Sequence, residues 1–312
     1  MIISIFMLVI GLAILLAAAH VIIPGTVSIA HYLKIPAHVV AVLLIAAGTS
    51  APELVVALQA ALNGAPQFVW GNIIGSNITN ILVVLGIIGL MFPINTGETA
   101  TTRDMLLLLF LTALICIPAY YFNSLPLLCG FALVTILASY TIYLVSQRSN
   151  EYEIDKNMGR ELSFNRSLIY CFAGIAGLIF GAEILIRGAV ELAIGLSISK
   201  TVIGLTIIAF GTSLPEIAAA VASLFYRRVD MALGSIIGSN IFNIAAGLGI
   251  TRLVSELEVP SDMLLLGLPV MILVTMMLAI IIVMKHPIGK VISICFLSIY
   301  CLFLWINMMV SS

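Results

Sequence analysis

Long apolar runs recur along the whole chain, and they constrain its fold more than any other feature of the sequence. Each run reaches the roughly 18–20 residues that a helix needs to cross a hydrocarbon core about 30 Å thick. A transmembrane β-barrel is excluded, because its strands would alternate apolar and polar residues over segments of about ten. Only 9% of the residues are charged, where a soluble domain carries about 25%. The sequence therefore predicts an all-α integral membrane protein.

Clusters of charged, Gly, Pro and Asn residues divide the chain into ten predicted spans. These lie near residues 2–31, 37–62, 68–91, 104–121, 126–146, 166–194, 200–225, 231–253, 263–284 and 288–309. One substantial hydrophilic stretch separates the fifth span from the sixth. The predicted organisation is a first five-helix repeat over 1–146, a linker over 147–165 and a second five-helix repeat over 166–312.

The basic residues predict which way round the chain lies. Ten of the 13 Lys and Arg residues fall in loops on the side opposite the N-terminus, and Arg187 lies within a span. The N-terminal side holds only Lys200 and Arg252. By the positive-inside rule, this bias predicts a protein of the cell membrane with both termini outside and the 147–165 linker in the cytoplasm.

The sequence repeats itself with a constant offset of 163 residues. Residues 46–53 read AAGTSAPE and residues 209–216 read AFGTSLPE, while residues 71–81 read GNIIGSNITNI and residues 234–244 read GSIIGSNIFNI. Because each half contains an odd number of spans, the second copy is predicted to enter the membrane inverted. Inverted repeats are typical of secondary transporters, in which near-symmetric halves expose one central site to either side in turn.

A proline interrupts each copy of the first motif. Pro52 and Pro215 lack an N–H and clash with the preceding turn, so spans two and seven are predicted to break there and free nearby backbone carbonyls. Proline also suits the first turn of the following half-helix. Glu53 and Glu216 are then placed near the positive end of a helix dipole, which favours an ionised carboxylate.

The two glutamates and the polar residues around them predict a cation site. A charge at the centre of a membrane helix costs about 2.5–3.5 kcal/mol, and here that cost recurs at equivalent positions. Spans three and eight each carry a polar stripe at i, i+4 and i+8, formed by Asn72, Ser76 and Asn80 and by Ser235, Ser239 and Asn243. An all-oxygen ligand set suits Ca²⁺ and Na⁺ best. One Ca²⁺ or two Na⁺ would balance the two carboxylates, so competition for them predicts exchange.

The paired GTSxPE and GSNxxN segments resemble the α-repeats of the cation/calcium exchanger (CaCA) superfamily, specifically its sodium/calcium exchanger branch. The resemblance covers the ten-span plan and is most specific over residues 46–81 and 209–244. It implies that Ca²⁺ is bound by the carboxylates of Glu53 and Glu216 and by backbone carbonyls of Thr49 and Thr212. The sodium sites that it implies draw on Ala46, Ser50, Ser76, Ala209, Ser213 and Ser239, with Asn80 and Asn243 in the middle.

Two positions depart from the pattern of the family that the chain resembles. Some exchangers have an aspartate where Asn243 stands, and in potassium-dependent members that acid accompanies the use of K⁺. Potassium cotransport is therefore disfavoured, and the predicted site charge of −2 leaves the stoichiometry open. His20 stands where its repeat partner is Glu183, although the family often has an acid at both places. Glu183 and Arg187 are four residues apart, which predicts an intrahelical ion pair.

Three alternative functions differ from sodium-coupled exchange. A proton-coupled exchanger of Ca²⁺ or another divalent cation stays open, because clustered carboxylates can titrate when they release an ion. A passive channel is disfavoured by the inverted repeat. An intramembrane enzyme is disfavoured because the sequence has no HExxH motif or nucleophile elbow.

The prediction is therefore a secondary active antiporter that works by alternating access and is not an enzyme. We expect no cofactor beyond the transported Ca²⁺ and Na⁺, the lipid bilayer as surroundings, and a monomer. Nucleic acid is not expected as a partner, because the net charge is −1 and no stretch gathers basic residues.

Overall fold

The computed structural model describes residues 2–97, 99–147, 162–196 and 211–310, which are almost entirely helical. Within these residues, eight helices are long and apolar enough to cross a membrane, or nine if the broken pair Ala37–Thr49 and Ala51–Leu62 counts as one span. The prediction of an all-α, multi-pass membrane fold is confirmed at this level. The predicted span over 200–225 begins outside the described residues, so the count of ten stays a prediction.

The helices form because a chain in hydrocarbon must satisfy every backbone N–H and C=O internally. In chain order they are α1 (Ile2–Leu33), α2 (Ala37–Thr49), α3 (Ala51–Leu62), α4 (Pro66–Met91), α5 (Thr99–Phe122), α6 (Leu127–Ser146), α7 (Phe164–Gly195), α8 (Leu214–Phe225), α9 (Val229–Val254), α10 (Met263–Val283) and α11 (Lys290–Val310). Two short strands, β1 (Ser124–Leu125) and β2 (Leu257–Glu258), pair antiparallel. Among the described residues, turns of π-helix occur in four helices, at Ala41–Ala46, Asn80–Val84, Asn243–Leu248 and Met263–Gly267.

Local structure recurs at the offset of the sequence repeat. α3 and α8 each have 12 residues. Each is followed by a helix that runs for 14 residues before its π-helical turn, over Pro66–Thr79 in α4 and over Val229–Phe242 in α9. These segments of the two halves thus repeat their secondary structure as well as their sequence, which supports a duplication.

Packing divides the chain into two compact units that do not follow the two predicted halves. The first unit consists of Met1–Thr49, Gln147–Ser235 and Leu304–Ser312. The second unit consists of Ser50–Ser146 and Ile236–Phe303. Each unit draws segments from both halves of the sequence, because helices that are repeat equivalents, such as α1 and α7, pack on each other.

In the first unit, α1 and α7 pack along small residues spaced seven apart. We call this row of six the small-residue seam: Gly11, Ala18 and Gly25 on α1, and Gly174, Gly181 and Gly188 on α7. A Cβ added to Gly181 would lie 2.8 Å from the backbone nitrogen of Leu15. The two backbones therefore approach more closely than larger side chains would allow, which is how helices gain packing energy in membranes.

In the second unit, two backbone pairings join loops at the two ends of α5. Strand β1 pairs with β2, which places Leu125 opposite Leu257. At the other end, Ile94 and Ile288 exchange two backbone hydrogen bonds, with N···O distances of 3.0 and 2.9 Å. The repeat offset of 163 residues relates Ile94 to Leu257 and Leu125 to Ile288. The same connection is thus built twice, once next to each end of α5.

Candidate functional site

The predicted break of the second span is confirmed. α2 ends at Thr49, α3 begins at Ala51, and Ser50 between them has φ −86° and ψ 0°, which is not helical. Pro52 in the first turn of α3 has no N–H to donate to the carbonyl four residues before it. Glu53 lies in the same turn, only 1% exposed. The helix dipole at the start of α3 stabilises a negatively charged carboxylate in this turn.

The carbonyls at the end of α2 already have a local donor. The Thr49 hydroxyl donates to the carbonyl of Ile45 at 3.0 Å and to that of Ala46 at 3.3 Å. This back-bonding is common for threonine in membrane helices. A carbonyl oxygen has two lone pairs, so Ala46 can accept this hydrogen bond and still coordinate a cation, as the sequence predicts.

The start of α8 repeats this local geometry. Ser213 has φ −90° and ψ 5°, Pro215 occupies the first turn, and Glu216 lies in that turn with 4% of its surface exposed. Thr212 is in a turn, so the chain leaves the helix at the predicted position. The predicted ligand Ala209 lies outside the described residues. Two glutamates thus occupy matching, buried positions at the starts of two helices.

The first members of the two polar stripes have structural partners. Asn72 of α4 donates its side-chain N–H to the backbone carbonyl of Glu53 at 2.8 Å, which ties the first turn of α3 to α4. Ser235 of α9 donates its hydroxyl to the carbonyl of Ala232 in its own helix at 3.0 Å. Asn72 therefore holds the segment that carries Glu53, while Ser235 bonds back to its own backbone.

Buried side chains of α4 and α9 form a polar network within the second unit. The amide nitrogen of Asn243 donates to the Ser76 hydroxyl oxygen at 3.1 Å, and that of Asn80 donates to the Asn240 carbonyl oxygen at 3.0 Å. In both bonds the asparagine uses its amide nitrogen as the donor. The Oδ1 atoms of Asn80 and Asn243 and the Oγ of Ser239 are buried and have no hydrogen-bond partner among the described residues.

A buried oxygen without a hydrogen-bond partner raises the free energy of the folded protein unless it binds another group. Here the oxygens are amide carbonyl and hydroxyl groups, which are suitable ligands for a hard cation such as Ca²⁺. In the first unit, the hydroxyl oxygen of Ser213 is likewise buried without a hydrogen-bond partner in the part of the chain that the structure describes. The buried polar atoms without a partner among the described residues thus include several predicted ion ligands, although Asn77, Tyr140 and Ser293 also carry such atoms.

The structure distributes the predicted ligands between the two compact units. The first unit contains Ala46, Thr49, Thr212, Ser213 and Glu216. The second unit contains Ser50, Glu53, Ser76, Asn80, Ser239 and Asn243. Of these, Ser76 and Asn243 are in direct contact, and Asn80 reaches α9 through Asn240.

Asn77 and Asn240 belong to this polar layer but were not predicted as site residues. Both are 1% exposed, and Asn240 donates to the backbone carbonyl of Asn77 at 3.3 Å. Each precedes the predicted asparagine ligand of its helix by three residues, and the pair recurs at the repeat offset of 163. That recurrence was the available signal, but it does not distinguish a ligand from a residue that supports one.

Comparisons with known proteins agree on one family. The profile of the family described as "Sodium/calcium exchanger protein" matches twice, over residues 3–146 and 166–309. The chain is 32% identical to the membrane protein MJ0091 of Methanocaldococcus jannaschii, over 93% of each sequence. It is 27% identical to the sodium/calcium exchanger MaX1 of Methanosarcina acetivorans, over 89% of this chain and 91% of that protein.

Solved structures show the same similarity. A structure of the sodium-calcium exchanger NCX_Mj, soaked with 10 mM Na⁺ and no Ca²⁺, superposes with a TM-score of 0.83. The two sequences are 29% identical, and the superposition covers 96% of this chain and 97% of the other. The all-helical membrane fold described above is therefore shared over nearly the full length of both proteins.

Proposed function

The chain belongs to the sodium/calcium exchanger family, and from that membership we propose that it is a secondary active antiporter that exchanges Ca²⁺ for Na⁺ by alternating access. The family consists of transporters, so the chain is not an enzyme. One observation carries the proposal within this chain. Glu53 and Glu216 are 1% and 4% exposed, and each lies in the first turn of a helix that follows a break in the repeated motif.

The proposed ion ligands follow from the chemistry of these residues. Two carboxylates carry a charge of −2, which one Ca²⁺ or two Na⁺ neutralise, and burial favours a loaded state over an empty one. Calcium is proposed to bind the carboxylates of Glu53 and Glu216 and the carbonyls of Thr49 and Thr212. Sodium is proposed to use Ala46, Ser50, Ser76, Ala209, Ser213 and Ser239, with Asn80 and Asn243 completing the set. Because both ions need the same glutamates, binding of one displaces the other.

The proposed architecture is ten spans in two inverted repeats, over 1–146 and 166–312. Two findings support the duplication: the family profile matches each half separately, and the helix lengths recur at the repeat offset. An odd number of spans in each half would invert the second copy, as alternating access requires. We propose that both termini face the outside and that the 147–165 linker faces the cytoplasm, in agreement with the distribution of Lys and Arg.

Transport by the purified protein in liposomes tests the proposal. The vesicles are loaded with Na⁺, and ⁴⁵Ca²⁺ uptake is measured with an outward sodium gradient and with equal sodium on both sides. We expect uptake only with the gradient. Glu216→Gln should reduce it by about a hundredfold or more, because an unbalanced buried charge costs about 3 kcal/mol or more. Uptake by Glu216→Gln at the wild-type rate would refute the ligand assignment.

Glu183→Gln is the matched control. It makes the same chemical change in the same half, but the side chain of Glu183 is 48% exposed and pairs with Arg187 in the predicted intrahelical ion pair. Uptake should therefore persist in this variant. A second arm replaces the sodium gradient with a pH gradient in sodium-free buffer. Uptake that follows the pH gradient and ignores sodium would assign the chain to proton-coupled exchange of Ca²⁺ or another divalent cation.

A further inference from the structure

Asn240 contacts a proposed ligand without being one of the proposed ligands itself. It lies on α9 in the second unit, is 1% exposed, and accepts a hydrogen bond from the side chain of Asn80 on α4. A buried asparagine must place both a donor and an acceptor correctly, so its surroundings determine which way its amide faces.

The hydrogen bonds around Asn240 have a fixed direction. Its amide nitrogen lies 3.3 Å from the backbone carbonyl of Asn77, an atom that can only accept. The Oδ1 of Asn240 must then face the other way, toward Asn80, at 3.0 Å. Asn80 has to present its amide nitrogen to that oxygen. Its own Oδ1 is thereby turned away and has no hydrogen-bond partner among the described residues.

The repeat partner of Asn240 does not have the same role. Asn77 donates its side-chain N–H to the carbonyl of Ile73 in its own helix at 2.7 Å. The amide nitrogen of Asn243, the repeat partner of Asn80, instead donates to the hydroxyl oxygen of Ser76 at 3.1 Å. Two sequence-equivalent asparagines thus have different partners, and only Asn240 bonds the side chain of a proposed ligand on another helix.

We propose that Asn240 is a positioning residue that orients the carboxamide of Asn80 so that its oxygen faces the transported cation. This inference rests on the proposed function, since it takes Asn80 as an ion ligand. A carboxamide presents a negative end or a positive end, and a reversed Asn80 would point its N–H groups at a cation. Mutation of a residue that orients a metal ligand typically lowers the affinity for the metal about ten- to a hundredfold.

The test compares Asn240→Leu with Asn77→Leu in proteoliposomes of the full chain. Leucine has nearly the shape of asparagine but neither donates nor accepts, so Asn240→Leu releases Asn80. We expect its apparent KM for Ca²⁺ to rise about tenfold or more with a smaller change in the maximal rate. Asn77→Leu removes an equally buried amide from the same polar layer but only a bond within one helix, so its KM should change by less than about twofold. A purely structural role would lower the amount of active protein, and hence the maximal rate, at an unchanged KM.

A double-mutant cycle with Asn80→Ala shows whether Asn240 acts through Asn80. If it does, adding Asn240→Leu to Asn80→Ala should change KM by less than about twofold. Independent, multiplying effects would overturn the proposal, as would an equal KM rise in Asn77→Leu. If Asn240→Leu does not fold, Asn240→Gln keeps the amide but displaces it by about 1.5 Å, and the same coupling to Asn80 is expected.

The same experiment separates this inference from the proposed function. A KM unchanged in Asn80→Ala would show that Asn80 is not a ligand, which refutes that part of the proposed function and the role of Asn240 with it. A raised KM in Asn80→Ala beside a normal KM in Asn240→Leu would refute the positioning role alone.

Discussion

Gly181 is a position where one added carbon should directly disturb the packing of the first unit. It belongs to the small-residue seam between α7 and α1. A Cβ at this position would lie 2.8 Å from the backbone nitrogen of Leu15, 3.1 Å from its Cα and 3.1 Å from the carbonyl oxygen of Gly11. All three atoms belong to the backbone of α1, so no change of side-chain rotamer can relieve the contact.

The magnitude follows from these distances. The nearest atom must retreat by about 0.7 Å to reach an ordinary contact of about 3.5 Å. Because α1 is a continuous helix, that shift separates the two helices along several turns of the seam. Overpacking of this kind costs about 1–3 kcal/mol. Alanine recovers up to about 1 kcal/mol through its better helix propensity, so a position without the clash provides the reference.

Gly195→Ala is that reference. Gly195 ends the same helix, and a Cβ there would meet nothing within 4 Å among the described residues. Detergent-purified variants are heated, and the surviving monodisperse fraction is measured by gel filtration. We expect the apparent midpoint of Gly181→Ala to lie about 2–8 °C below that of Gly195→Ala. Equal midpoints would refute the inference that α1 and α7 need glycine at their closest approach.

The same heating assay tests two contacts within the second unit. Arg252 donates to the backbone carbonyls of Leu125 and of Ser255, the latter at 3.3 Å. Arg252→Ala should therefore lower the free energy of unfolding by about 1.5–3 kcal/mol. An unchanged midpoint would contradict the role of Arg252 in holding β1. Asp104 is buried and pairs with Arg103 at 2.7 Å, so Asp104→Ala should leave a half-buried charge unpaired. Because 31% of the Arg103 side chain is exposed, we expect a loss of about 1–3 kcal/mol. Arg103→Ala should lose more, because it leaves the buried carboxylate of Asp104 unpaired, and a smaller midpoint loss in Arg103→Ala would contradict this reasoning.

Two features of the second span could be predicted from the sequence because they depend on neighbouring residues alone. A proline in the motif removes a helical hydrogen bond at a known place, and the break at Ser50 follows. The same local rule places Glu53 in the first turn of α3. The repeat then predicts an equivalent first turn at Glu216, which α8 shows.

The grouping of the helices could not be predicted in the same way. The repeat divides the chain into two halves, yet each compact unit contains segments of both. Apolar composition indicates only that a helix is surrounded by lipid or protein. It does not indicate which of the two a given helix face contacts, since both surroundings are equally apolar. Close packing between α1 and α7 requires that glycines of two segments far apart in the sequence come into contact, and this depends on which faces of the two helices pack together.

Apolar length, proline geometry and residue charge are local properties, so the all-α membrane fold, the helix break at Ser50 and the two candidate glutamates could be predicted from the residues alone. The different bonding of two equivalent asparagines could not: Asn77 bonds within its helix, while its repeat partner Asn240 bonds the side chain of Asn80. Identical residue types at equivalent positions acquired different partners, because a side-chain hydrogen bond depends on which atoms another helix brings within about 3 Å.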